Sequence, residues 1–290
     1  MTEVTARSAV ILEPMRSHLD PAAPRVFHRL VAPALLCGAL VLSGCSGDDG
    51  EPRPEPVTLA SEGIEWPVVD RDDPHAFSFP DLPDRPASID EDEWAAAGDT
   101  LRAWAVEASF VDHGDAAFEA IAARVFDALP EATRTDVRDL VAAGAAPRLG
   151  AATVVAGEID ETRATAAWHV SQFEDDGEVV RLTLQTRTAL QVTSERGGED
   201  RTEVVGVVRS VGLNLRPGRT PGAWLVWEEF GADDCSLAER DALVPATDLE
   251  AERSALRDFV ALGDTKGHAR VEAGPVVDEE FRETCENSTT

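Results

Sequence analysis
The sequence predicts an α+β fold in which N-terminal helices pack on a strongly curved antiparallel sheet. Two observations carry this reading. Between Trp94 and Gly144 apolar residues recur every three or four positions, and beyond Pro147 the period changes to two. The pattern Ser88-Ile89-Asp90-Glu91 has the form of a capping box and opens a helix. Trp94, Ala97, Leu101, Trp104, Ala108 and Val111 then share one face. Residues 112–115, DHGD, break that helix and offer Asp115 as the next N-cap. A second helix turns Phe118, Ile121, Val125 and Leu129 inward. A third begins at Pro130, buries Val137, Leu140 and Val141, and ends at Gly144.

Strands are predicted at Ala151–Ile159 and Thr165–Phe173. The clearest alternation is Val179–Val192, with Val180, Leu182, Leu184, Leu190 and Val192 on one face. Arg181, Thr183, Gln185, Arg187 and Gln191 take the other. Residues 194–201, SERGGEDR, read as a hairpin turn. Arg201–Leu215 returns with Val205, Val207, Val211, Leu213 and Leu215 on one side, and residues 216–222 turn into Ala223–Phe230. Such strands exceed the usual length of about five to six residues, so they must twist and bend. A last helix starts at Thr247-Asp248-Leu249-Glu250, turns Leu256 and Phe259 inward, and ends near Gly263.

With 55 acidic against 26 basic residues the chain carries a net charge of −29. It lacks the basic surface whose counterion release drives nucleic-acid binding, so nucleic acid is excluded as a partner. Lysine occurs once, at Lys266, and tyrosine is absent.

The N-terminus holds the most specific motif. Arg25 and Arg29 precede an apolar run, Leu30–Leu42, of 13 residues. A spanning helix needs about 20, so this run has the length of a signal-peptide core. It ends in Leu42-Ser43-Gly44-Cys45, which resembles the lipobox of bacterial lipoproteins. That resemblance implies a diacylglyceryl thioether on Cys45, cleavage just before it, and a membrane anchor on the extracytoplasmic side. Small side chains at Ser43 and Gly44 let extended backbone enter a peptidase, Leu42 fills an apolar subsite, and only a thiol forms the thioether. Met15 is an alternative start that leaves a shorter leader. Each buried CH₂ contributes about 0.8 kcal/mol, so two or more acyl chains anchor durably.

Four segments follow from this: a signal peptide at 1–44, an acidic Pro-rich tether at 45–87, an α+β domain at 88–235, and a C-terminal helix and tail at 236–290. Within the tether, GIEWPVV at 63–69 is apolar and suits a short strand packed on the domain. Cys37 leaves with the signal and Cys45 is acylated, so Cys235 and Cys285 remain. In an oxidising compartment two cysteines allow one pairing, which closes a loop worth roughly 4 kcal/mol in the chain-entropy model; two buried thiols are the alternative.

The helix bearing Trp94 and Trp104, the long hairpin over 179–215 and the closing PGAWLVWEEF together resemble the cone-shaped, cystatin-like (NTF2-like) superfamily. Within it they are most similar to envelope proteins of the Mce-associated type. The resemblance covers about residues 88–235 and implies a bent sheet wrapped around the first helix. Family enzymes place Asp, His or Tyr inside the cone, and this chain has no Tyr for an oxyanion hole.

Candidate chemistry is sparse. Asp112 and His113 can form an acid–base pair at the end of the first helix. His169 lies in a strand beside Trp168. Arg209 interrupts an apolar strand face, where it either meets an anionic group inside a pocket, swings into solvent at a bulge, or pairs with an acid such as Glu228. No zinc spacing, EF-hand loop, P-loop, G-x-S-x-G or dinucleotide fingerprint occurs, so no metal or cofactor is predicted. The favoured function is a non-enzymatic, lipid-anchored envelope protein that binds a small amphiphilic ligand or an envelope partner. A dehydratase- or isomerase-type enzyme is the second reading. A solute-capture lipoprotein is the third, though no βαβ alternation supports its usual two-lobed form.

Overall fold
A computed structural model describes residues 57–261 apart from 145, 176, 197, 247 and 248. The order of elements is α1 (Glu91–Ser109), α2 (Phe118–Val125), α3 (Glu131–Ala142), α4 (Pro147–Ala151), β1 (Glu158–Glu174), β2 (Glu178–Arg196), β3 (Glu199–Leu215), β4 (Gly222–Phe230), α5 (Asp234–Arg240) and α6 (Leu249–Ala261). The fold is α+β. Its four strands form one antiparallel sheet in the order β1-β2-β3-β4, each joined to the next by a hairpin.

The register follows from the alternation in the sequence. Leu182 faces Leu213, Leu184 faces Val211 and Leu190 faces Val205, so the apolar residues of β2 and β3 share a face. Against that face pack Leu101, Trp104 and Ala108 of α1, Ile121 and Val125 of α2, and Val137 of α3.

Several local expectations are corrected. The N-cap of α1 is Asp90, whose side chain accepts from the Asp92 N–H at 2.9 Å, because acidic groups suit the positive end of a helix. Ser88 instead donates to the Glu178 carboxylate at 3.0 Å. The N-cap of α2 is Ala117, not Asp115. Asp112 and Gly114 complete the turn earlier, Gly114 adopting φ +51° and its N–H bonding Asp112 Oδ1. Leu140 is exposed.

No strand runs from Ala151 to Ile159. Pro147 nucleates the short helix α4, and β1 is one continuous strand from Glu158. Its polar middle, Glu161-Thr162-Arg163, continues the pairing with β2 after a register shift at Ile159/Glu161.

The larger correction concerns the segment assigned to the tether. Val57, Leu59 and Ile64 are buried on the opposite face of the sheet, against Ala189, Val204, Val208, Leu256 and Phe259. The chain then crosses the β1 edge. Val69 donates to Thr162 O at 2.9 Å, and Ala164 donates to Pro67 O at 3.0 Å. On the helix side Phe77 and Phe79 pack on Phe110, and Trp94 Nε1 donates to Pro83 O at 3.0 Å. The folded part therefore begins at or before Val57, because this strap covers apolar surface and caps an edge strand at once.

Phe259 of α6 lies so close to Gly206 that a Cβ there would stand 2.8 Å from its ring. Gly206→Ala should destabilise the domain by about 1–3 kcal/mol, read as a lower denaturation midpoint at unchanged slope. An unchanged midpoint would show that α6 does not seat on β3 in this way.

Candidate functional site
Odd-numbered residues of β3 face the helices, and this fixes the direction of Arg209. It stands opposite Thr186 of β2 and Trp227 of β4, with 1% of its surface exposed. Its guanidinium donates from Nη1 to Gly150 O at 3.0 Å and from Nη2 to Leu149 O at 2.9 Å. These are the carbonyls of α4. At the other end of that helix, Asp241 accepts the Arg148 N–H at 3.0 Å and 3.2 Å. A single helical turn is thus held by a carboxylate at its N-terminus and a cation at its C-terminus, as its dipole favours. Asp241 takes up a left-handed conformation at φ 52° where α5 ends. Burial raises its carboxyl pKa, opposed by the N–H groups of Leu149 and Arg148 and by the Arg148 charge.

The predicted pairing of Arg209 with Glu228 does not form, nor does a bulge turn Arg209 to solvent. Glu228 pairs with Val208 and so belongs to the opposite face. No carboxylate among the described residues makes a salt bridge to Arg209, and its Nε has no hydrogen-bond partner. Desolvation lowers its pKa to about 9, which still leaves the group charged at neutral pH.

More polar groups lie in the same helix–sheet layer. Thr186 Oγ1 and Ser109 Oγ are 2.9 Å apart. Thr188 Oγ1, Thr153 Oγ1 and Trp104 Nε1 are buried without a hydrogen-bond partner among the described residues. Trp104 Nε1 and Arg209 Nε can only donate.

The other predicted groups do not join this layer. Asp112 and His113 form no acid–base pair. Asp112 Oδ2 binds Arg71 at 2.8 Å, while His113 Nε2 donates to Glu107 O at 2.8 Å. Adjacent residues past the end of α1 point apart, and each finds its own partner. His169 stands opposite Thr183, on the sheet face away from Arg209. Cys235 lies in α5 and is disulfide-bonded, its partner lying outside the described residues. Leu42, Ser43, Gly44, Cys45 and Cys285 also lie outside them. Among the described residues no group of three His, Cys, Asp or Glu could hold a metal ion, and no helix is long and apolar enough to cross a membrane.

A second arrangement, with no signature in the sequence, lies on the opposite face. Arg181 sits between Phe173 and Trp224, 4.9 Å from each ring centroid, and its Nε donates to Asn214 at 2.7 Å. A Cβ at Gly212 would fall 2.0 Å from Trp224 Nε1, so the indole needs glycine beneath it. Phe173, Arg181, Asn214 and Trp224 come from four different strands, and only the register brings them together.

Comparison with family models, with curated proteins and with solved structures finds no match.

The depressed proton affinity of Arg209 has a definite sign. From about pH 9 up to the ordinary arginine range the unfolded chain holds more protons there than the folded one. Stability of the wild type relative to Arg209→Met should therefore rise across that interval. With one lysine and no tyrosine, few other groups titrate there. Denaturant melts of both chains at several alkaline pH values measure the difference, and a flat difference contradicts the burial of an uncompensated charge.

Proposed function
We propose that this chain is a lipid-anchored protein of the cell envelope, tethered through Cys45 on the extracytoplasmic side of the membrane. Its α+β domain is a cone of the NTF2-like type that binds a small amphiphilic ligand or an envelope partner and performs no catalysis. The observation that carries the binding reading is Arg209: of the candidate side chains in the described residues, it alone enters the layer between helices and sheet. The separation of Asp112, His113 and His169 supports binding over acid–base catalysis, because proton transfer needs groups within hydrogen-bond reach of one reacting centre.

The anchor rests on the sequence Leu42-Ser43-Gly44-Cys45 after an apolar run too short to span a bilayer. Since Val57 is already buried in the domain, only residues 46–56 remain as tether. Their extended length is at most about 40 Å, which keeps the domain near the bilayer. Cys285 is the partner of Cys235, and that bond ties the tail to α5.

Mass spectrometry of the N-terminal peptide tests the anchor. The account expects a peptide beginning at Cys45 and carrying a diacylglyceryl thioether; an unmodified Cys45, or a start elsewhere, removes it. Thiol titration of the exported chain should find no thiol before reduction and two afterwards. Two thiols in the untreated chain would exclude the Cys235–Cys285 bond.

A further inference from the structure
The sheet face turned away from α1 to α4 is covered only in part by the described chain. Val57, Leu59 and Ile64 of the strap, with Leu256 and Phe259 of α6, form a cluster that reaches Ala189 on β2 and Val208 on β3 and ends there. Beyond that end the face turns polar, with Thr183, Gln185 and Arg187 of β2 beside Ser210 and Asn214 of β3. On a face open to water such side chains stay accessible. Here Thr183, Gln185 and Ser210 are 1%, 2% and 2% exposed, and Thr183 Oγ1 has no hydrogen-bond partner among the described residues. The charge of this stretch also runs against the composition. Arg181 and Arg187 stand on it against Glu228, in a chain with 55 acidic residues to 26 basic. Arg181, clamped between Phe173 and Trp224, spends its Nε on Asn214, which leaves both Nη groups for another acceptor.

We propose that residues 262–284 of this same chain dock along the polar stretch, with the Glu272 carboxylate accepting from Arg181, and so complete the cover of the sheet. Three observations select this occupant. First, α6 lies on the same face and ends at Ala261, with Phe259 seated over Gly206, so the segment starts beside the uncovered stretch. Second, Cys235 of α5, just past the end of β4, is disulfide-bonded to a partner outside the described residues. With Cys285 as that partner, which rests on the pairing proposed above, the segment leaves the sheet at α6 and returns to it at β4. Residues 262–284 extend to roughly 75 Å. The route along β3 from Gly206 to Asn214 and back along β4 to Phe230 is about 55 Å at the strand rise, so the segment is long enough. Glu272 stands near its middle, within reach of Arg181 from either end. Third, acids outnumber bases in the segment, with the run Asp278-Glu279-Glu280 near its end, so its sign complements the two arginines. A carboxylate on a guanidinium already oriented by two rings forms a charge-assisted bond of defined geometry.

Lys266, the one lysine of the chain, lies in this segment and makes its docking readable. A protease that cuts only after lysine has a single site in the full chain, and its native-state rate there reports how often the segment leaves the sheet. Wild type should be cut about tenfold more slowly than Arg181→Glu, and the reversed pair Arg181→Glu with Glu272→Arg should restore the slow rate. Where Arg181→Glu does not fold, Glu272→Arg alone keeps the test, since it alters the segment and not the sheet; it should also be cut about tenfold faster. A wild-type rate equal to that of the denatured chain, an unchanged rate in Glu272→Arg, or a reversed pair cut as fast as Arg181→Glu overturns the proposal. Thiol titration reports the Cys235–Cys285 bond separately. Two free thiols with Lys266 still protected would remove the pairing and leave the docking standing; an intact bond with Lys266 cut freely would do the opposite.

Discussion
Everything else in the fold is arranged around a sheet whose central strands are buried on both faces. In β3 every residue from Val204 to Leu213 is buried, whichever face it points to. A strand of that kind cannot stand in a sheet with one wet face. One face is covered by α1 to α4. The other takes a strap from the N-terminal side, Val57 to Trp66, and α6 from the C-terminal side, which meet where Trp66 packs edge-on against Phe259 at 5.2 Å. The covering segments are far apart in sequence, so the domain closes only when both ends of the described chain have returned to the sheet.

Arg209 is the largest fully buried polar side chain in this frame. The same alternation that turns Val207 and Val211 to the helices turns the guanidinium there too, and a short helix clamped by Asp241 supplies two carbonyls to hold it. A charge kept inside a core at an energetic penalty is poor evidence for stability. The proposed binding role rests on this buried guanidinium, whose Nε has no hydrogen-bond partner among the described residues.

Much of the fold was legible in the sequence because periodicity reports burial directly. The inward residues of β2 and β3 were read in full, and Leu256 and Phe259 were placed correctly in α6. The strap was read in part: GIEWPVV was expected to pack on the domain, as Ile64 and Val69 do, but the burial of Val57 and Leu59 before it was missed for a physical reason. Its prolines and acids mark a chain without regular structure, yet irregular chain can still bury Leu59 and Ile64 when a sheet offers an apolar face. The α4 turn was missed because five residues hold too little pattern to separate helix from strand, with Pro147 as the one available signal. At the site, the anomaly at Arg209 was visible from the strand pattern, but its partners were not. Glu228 looked eligible until the register placed it on the opposite face, and the α4 carbonyls carry no sequence signature.

The central claim, the proposal that this domain binds a small amphiphilic ligand, is most directly tested by native mass spectrometry of the full chain purified from its own host. The account predicts a non-covalent amphiphile bound to the chain, released on denaturation and depleted from chains carrying Arg209→Gln. A chain whose native and denatured masses agree would contradict it.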